Sequence, residues 1–147
     1  MNRIFGKPNA KAQIKGGSNA KNLSGEVCFY RKRGCVLVVA DISGLPNTSS
    51  GFFGFHIHEG NNCLGNKFEN TGNHYNPNRL PHPLHAGDMP PLISCNGNAF
   101  LAFFTDRFSI DEIISKTVVI HSNPDDFTTQ PSGNAGTKIA CGVIKAL

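Results

Sequence analysis

The 147-residue chain contains no tryptophan, no histidine outside the stretch from His56 to His121, and no apolar run long enough to cross a bilayer. Its first twenty residues, MNRIFGKPNAKAQIKGGSNA, hold none of the apolar core that a secretory signal requires, so the chain as given reads as soluble and cytoplasmic, with no membrane partner. A chain trimmed of its leader would read the same, and five cysteines pull toward an oxidising setting; an extracytoplasmic location therefore stays open. Internal repeats and low-complexity tracts are absent. The net charge of +4 is spread from Arg3 to Lys145 without forming a stripe, which leaves nucleic-acid binding unsupported. The one basic cluster, Arg31-Lys32-Arg33 ahead of Gly34, reads as a solvated hairpin tip.

A length of 147 residues fits one domain, residues 1–147, large enough to bury a core without disulfides. Sixteen glycines and nine prolines among short apolar runs favour an all-β chain, because these residues punctuate strands and spoil helix interiors. Alternating or β-branched runs predict eight strands: Ala12 to Lys15, Glu26 to Arg31, Cys35 to Ile42, Gly54 to Glu59, Leu92 to Cys95, Asn98 to Thr105, Thr117 to Ser122 and Ile139 to Ile144. CFYRKRGCVLVV reads as a hairpin turning at Gly34, and CNGNAFLAFF as another turning at Asn96-Gly97. These antiparallel signals point to a sandwich or barrel. SIDEIIS, residues 109–115, holds at most a helical turn. Two long irregular stretches remain, Gly60 to Pro91 and Asn123 to Lys138, and loops of that length in a compact domain are usually functional.

All six histidines lie in or beside these stretches: His56, His58, His74, His82, His85 and His121. Imidazole is the commonest protein ligand for copper and zinc. In GFHIHEG, strand alternation puts His56 and His58 on one side and turns Ile57 to the core, which makes a chelating pair. Metallohydrolases use the same H-x-H, but often with an Asp two residues on, where this chain has Gly60. Two histidines merely hydrogen-bonded on a sheet would give the same pattern. The loop GNHYNPNRLPHPLHAGD adds His74, His82, His85 and Asp88, enough to fill a zinc tetrahedron. A tetrahedron closed by protein ligands leaves no vacancy for water, which argues for a structural ion and against a zinc hydrolase. His121, ending TVVIH, can join His56 and His58 across the sheet. Two four-coordinate ions need eight positions, and these segments supply seven good donors. Either one donor is shared, as a bridging imidazolate would allow, or one ion binds water.

Three blocks in order, GFHIHEG, GNHYNP with HAGD, and GNAGTKIACGVI, closely resemble the copper/zinc superoxide dismutase family over roughly Ser24 to Ile144. The resemblance implies an eight-stranded Greek-key β-sandwich or barrel with two long functional loops. It also implies copper on His56, His58, His74 and His121, zinc on His74, His82, His85 and Asp88, and His74 as the bridge. Asp125 matches the family's aspartate that hydrogen-bonds one copper and one zinc histidine, here His56 and His82, fixing tautomer and ring orientation. Cys63 and Cys141 match the family's disulfide, and Gly136 the wall of the active site.

The implied activity is disproportionation of superoxide to dioxygen and hydrogen peroxide by a redox-cycling copper, with zinc as a structural partner. The alternative is a relative of the same fold that stores or delivers copper and zinc without turnover; such relatives usually lose copper ligands, and this chain keeps all four. Two departures stand out. Lys138 occupies the place of the family's anion-guiding arginine, which keeps the charge but loses the planar fork, so slower turnover is expected. Both long loops are shorter than in the animal enzymes and look more like those of bacterial members, so steering charges are fewer; the net positive charge partly compensates. Superoxide is the implied substrate, a copper donor an expected partner, and monomer and homodimer both remain open. Cys28 and Cys35 flank the first hairpin and read as small buried hydrophobes, or else as a facing pair, while Cys95 has no obvious mate.

Overall fold

The computed structural model describes residues 2–147. After a short helix α1 (Asn2–Phe5), nine strand segments follow: β1 (Ala10–Gly16), β2 (Ser24–Lys32), β3 (Cys35–Ser43), β4 (Phe52–Phe53), β5 (Phe55–His58), β6 (Leu92–Ile93), β7 (Ala99–Thr105), β8 (Thr117–His121) and β9 (Lys138–Ala146). A second short helix, α2 (Ile110–Ile113), precedes β8. Seven strands form one curled antiparallel sheet in the order β5-β8-β9-β1-β2-β3-β7, and β4 pairs with β6. The expected eight strands become nine segments because a two-residue strand, β4, precedes the expected fourth, from which Gly54 separates it. The Gly54 amide donates to Asn123 O and its carbonyl accepts from the His121 amide. A Cβ at Gly54 would lie 2.8 Å from the Ala135 Cβ, so only glycine lets the backbone pass. Counted as one bent strand, β4 and β5 carry the sheet round a corner: the first half pairs with β6 and the second with β8.

Alternation explains which side chains fill the barrel. Ala10, Ala12 and Ile14 of β1, Val27 and Phe29 of β2, and Val36, Val38, Ala40 and Ile42 of β3 face one core, with Ile57, Val118, Ile120 and Ile144 closing it. Both expected hairpins form. Lys32 pairs with Cys35 across Arg33-Gly34, where Gly34 has φ 75°. Cys95 bridges Asn98 across Asn96 (φ 50°) and Gly97 (φ 80°), the backbone of a tight two-residue turn. Arg31, Lys32 and Arg33 are exposed at their tip, and Arg31 reaches Asp111 at 3.0 Å. SIDEIIS does form one helical turn, held by a capping box in which Ser109 and Glu112 satisfy each other's backbone amides. Cys28 and Cys35 do not face one another: Cys28 lies opposite Val39 and Cys35 opposite Lys32. Cys28 is buried instead in an outer cluster with Tyr30, Leu37 and Val39, against which Phe5 packs. Among the described residues no helix is long and apolar enough to cross a membrane.

Candidate metal centre

The free edge of β5 decides where the long loop goes. A strand edge leaves amides and carbonyls in need of partners. The loop supplies them: Tyr75 N donates to Ile57 O at 2.8 Å, Ile57 N to Gly87 O at 2.9 Å, and Glu59 N to Asn73 O at 2.9 Å. This pairing sets His74 opposite His58 and Asp88 opposite His56. Gly87 is needed at this seam, because a Cβ there would come within 2.2 Å of the Ile57 carbonyl. Elsewhere the loop is tied by the Cys63–Cys141 disulfide to β9, with the two Cα atoms 5.8 Å apart. His82 is clamped from the second long loop: its amide donates to Gln130 Oε1 at 2.9 Å and its carbonyl accepts from Gln130 Nε2 at 2.7 Å.

Two donor groups result, His56 with His58, His74 and His121, and His74 with His82, His85 and Asp88, each offering atoms within 4.8 Å of one another. All six histidines are buried. In the second group Asp88 Oδ1 lies 2.8 Å from His74 Nδ1, and Asp88 Oδ2 lies 3.0 Å from His82 Nδ1 and 3.3 Å from His85 Nδ1. His74 Nδ1 and His85 Nδ1 are 3.4 Å apart. Donors at zinc bond lengths on a tetrahedron are separated by about 3.3 Å, so the spacing suits that ion. In the first group His58 Nε2 and His121 Nε2 approach to 3.1 Å.

Three ring nitrogens test whether ions belong here. His56 Nδ1, His74 Nε2 and His82 Nδ1 are buried without a hydrogen-bond partner. His82 Nδ1 lies 3.0 Å from Asp88 Oδ2 without forming a hydrogen bond to it. A buried polar atom without a partner carries a desolvation cost, which a coordinated cation removes. The opposite nitrogens of His56 and His82, and the Nδ1 of His58, are engaged. Asp125 accepts from His56 Nε2 at 2.7 Å and from His82 Nε2 at 2.8 Å, and Gly72 O accepts from His58 Nδ1 at 2.9 Å. These bonds assign the protons to the outer nitrogens and leave lone pairs on the inner ones. The donor sets therefore fit copper and zinc, both of which favour imidazole.

Burial favours the neutral form of the His56, His58, His85 and His121 rings, the form a ligand must take. It lowers the His56 imidazole to about 4, against the opposing pull of Asp125, and the His121 imidazole to about 3. The His58 ring is driven well below the ordinary 6.5 by burial and by the neighbouring His121 and His74. Burial by itself would raise the Asp125 carboxyl, but hydrogen bonds from His56, His82 and the Phe127 amide hold it well below the usual carboxylate range. Asp88 behaves alike: burial raises it, and the hydrogen bond from His74 and the neighbouring His82 and His85 hold it below its ordinary value.

The first group opens on a cavity of about 500 Å³ lined by His58, His74, His121, Gly136 and Lys138. Lys138 begins β9 opposite His121 in β8, and burial lowers its ammonium below the ordinary lysine value, with Glu69 opposing. Every histidine singled out in the sequence, with Asp88, Asp125 and Lys138, thus meets around this one region. Thr71, Gly72 and Gln130 were not legible as parts of it. Thr71 and Gly72 act through a hydroxyl and a carbonyl inside an irregular loop, and Gln130 lies 48 residues from the histidine it clamps; no local pattern marks such contacts.

The profile of the family described as copper/zinc superoxide dismutase (SODC) matches residues 23–144. Superoxide dismutase (Cu-Zn) 2 of Aquifex aeolicus is 34% identical over 151 aligned residues, covering 90% of this chain and 87% of that protein. The superoxide dismutase (Cu-Zn) of Legionella pneumophila is 35% identical over 129, covering 82% of this chain and 77% of its own. Among solved structures, a double mutant of a superoxide dismutase-like protein from Bacillus subtilis superposes with a TM-score of 0.81 at 26% identity, over 92% of this chain and 97% of that one.

Proposed function

The chain belongs to the copper/zinc superoxide dismutase family, and from that membership we propose that it disproportionates superoxide to dioxygen and hydrogen peroxide. The observation that carries this reading is the double membership of His74, whose Nδ1 lies beside Asp88 and His85 and whose Nε2 is buried without a hydrogen-bond partner. His56, His58, His74 and His121 would hold copper, and His74, His82, His85 and Asp88 would hold zinc, with the His74 ring between them. Copper held there supplies reversible one-electron exchange, and zinc supplies a fixed charge that keeps the loop in place.

The chain's own groups have separable tasks. Asp125 orients His56 and His82 together, so both rings present Nδ1 inward. His74 Nε2 is the buried site able to take up a proton inside the cavity and release it to a departing peroxide. Lys138 attracts the anion and orients it at the mouth, less rigidly than a planar guanidinium would. A positive net charge of +4 favours the encounter with a small anion.

The copper- and zinc-loaded protein is expected to show a cupric EPR signal that is lost on adding superoxide, together with rapid disproportionation. A protein that binds copper tightly and shows no turnover would establish the storage or delivery role instead. Restoring the guanidinium, Lys138→Arg, should raise kcat/KM; an unchanged or lower value would remove the argument for slowed turnover.

A further inference from the structure

Lysine is a poor substitute for arginine where an anion must be held at one angle, because its ammonium is a point charge on a flexible four-carbon stem. Here the stem does not swing freely. Lys138 Nζ donates to Thr71 Oγ1 at 2.7 Å and to Gly72 O at 3.0 Å. Thr71 is fully buried, closes the 3-10 turn Glu69–Thr71, and donates its own hydroxyl hydrogen to Phe68 O at 2.8 Å. That bond turns the hydroxyl lone pairs toward Lys138. Phe68 in turn packs with Val119 and the disulfide cysteines Cys63 and Cys141. The Gly72 carbonyl also accepts from His58 Nδ1 at 2.9 Å, so one oxygen registers the ammonium against a ring of the first donor group.

We infer that Thr71 is a positioning residue that fixes Lys138 as an oriented anion-binding group, using a side-chain hydroxyl to supply the rigidity a lysine stem lacks. An ammonium has three hydrogens; Thr71 and Gly72 take two, and one remains for an anion in the cavity shared with His58 and His121. A valine at position 71 keeps the shape of threonine and removes only the acceptor, after which the ammonium is tethered to a single carbonyl. The inference rests on the anion role proposed for Lys138 and concerns how that role is achieved.

The test reads anion binding and ammonium order on the full chain, not turnover. Azide affinity is measured on the copper- and zinc-loaded protein from its charge-transfer absorption, and the Lys138 ammonium is followed by nitrogen-15 NMR on protein loaded with zinc alone. In T71V the protected ammonium signal should disappear and azide should bind roughly three- to tenfold more weakly, the loss of one hydrogen bond. T71S, which keeps the hydroxyl, should restore both. T71V added to K138M should weaken azide no further, whereas a general structural defect would. Unchanged azide affinity and an unchanged ammonium signal in T71V overturn the inference. If the buried valine prevents folding, the wild-type spectrum decides, because an unprotected Lys138 ammonium overturns it equally. A protein that binds copper and azide but leaves superoxide untouched would sink the catalytic reading and leave this one standing.

Discussion

His74 and Asp125 each use two atoms to tie separate parts of the site together. Asp125 holds the outer nitrogens of His56 and His82 with its two oxygens. Asp125→Ala frees both rings and should weaken metal binding roughly 10- to 100-fold in a chelator competition. Gly133 protects this arrangement: its φ is 73°, and a Cβ there would fall 2.0 Å from Asp125 Oδ1 and 2.6 Å from His82 Nε2. The buried imidazoles also set a pH dependence. His56 at about 4 and His121 at about 3 take up protons later in the fold than the ordinary 6.5 of the unfolded chain. Between those values the unfolded state binds more protons, so the metal-free protein should lose stability as pH falls from about 6.5 to about 4. Asp125, held low, adds to the loss below the usual carboxylate range. Thermal melts across that window check the sign; a flat midpoint would mean that the rings are not buried neutral.

At the scale of elements, the two fastenings of the long loop differ in kind. The first is backbone pairing along the edge of β5, which runs through Gly87. Gly87→Ala places a methyl group against the Ile57 carbonyl, 2.2 Å from its oxygen, so the loop must lift at the point where His85 and Asp88 stand. Zinc content after purification should fall while the far hairpin, β2 with β3, keeps its amide protection in hydrogen exchange. The second is the Cys63–Cys141 bond, which spans 78 residues. By chain entropy it stabilises the fold by about 4 kcal/mol, so the double Cys→Ser variant should lower the unfolding free energy by that amount, read as a fall in the denaturant midpoint multiplied by the m-value. Hairpins and the capped turn at Ser109 were legible because each is set by residues within a few positions of one another. The break at Gly54 was not, since what forbids a side chain there is Ala135, from a distant loop.

For the whole molecule, metal binding and folding are one equilibrium. The three buried ring nitrogens without partners, on His56, His74 and His82, are satisfied only when cations are present, so any ion that binds the folded chain and not the unfolded one stabilises it by mass action. Removing both metals should lower the thermal midpoint, and zinc alone should recover part of it, because the second donor group lies wholly on the strand edge and the loop. Calorimetry with stepwise addition of zinc and then copper measures the two increments; a midpoint indifferent to metal would contradict the fit of the donor sets.

Residue type, order and strand period determined a great deal without any coordinates. They singled out the candidate donor side chains, put His56 and His58 on one side of a strand and made Ile57 a core residue, because alternation is a local property of extended backbone. Tertiary structure alone decided which nitrogen of each ring faces inward and which acceptors hold Lys138. It also showed that Cys28 packs against Tyr30 and Phe5 instead of meeting Cys35. Such outcomes depend on atoms brought together from remote parts of the chain by closing a curled sheet, and a linear order of residues carries no distance between them.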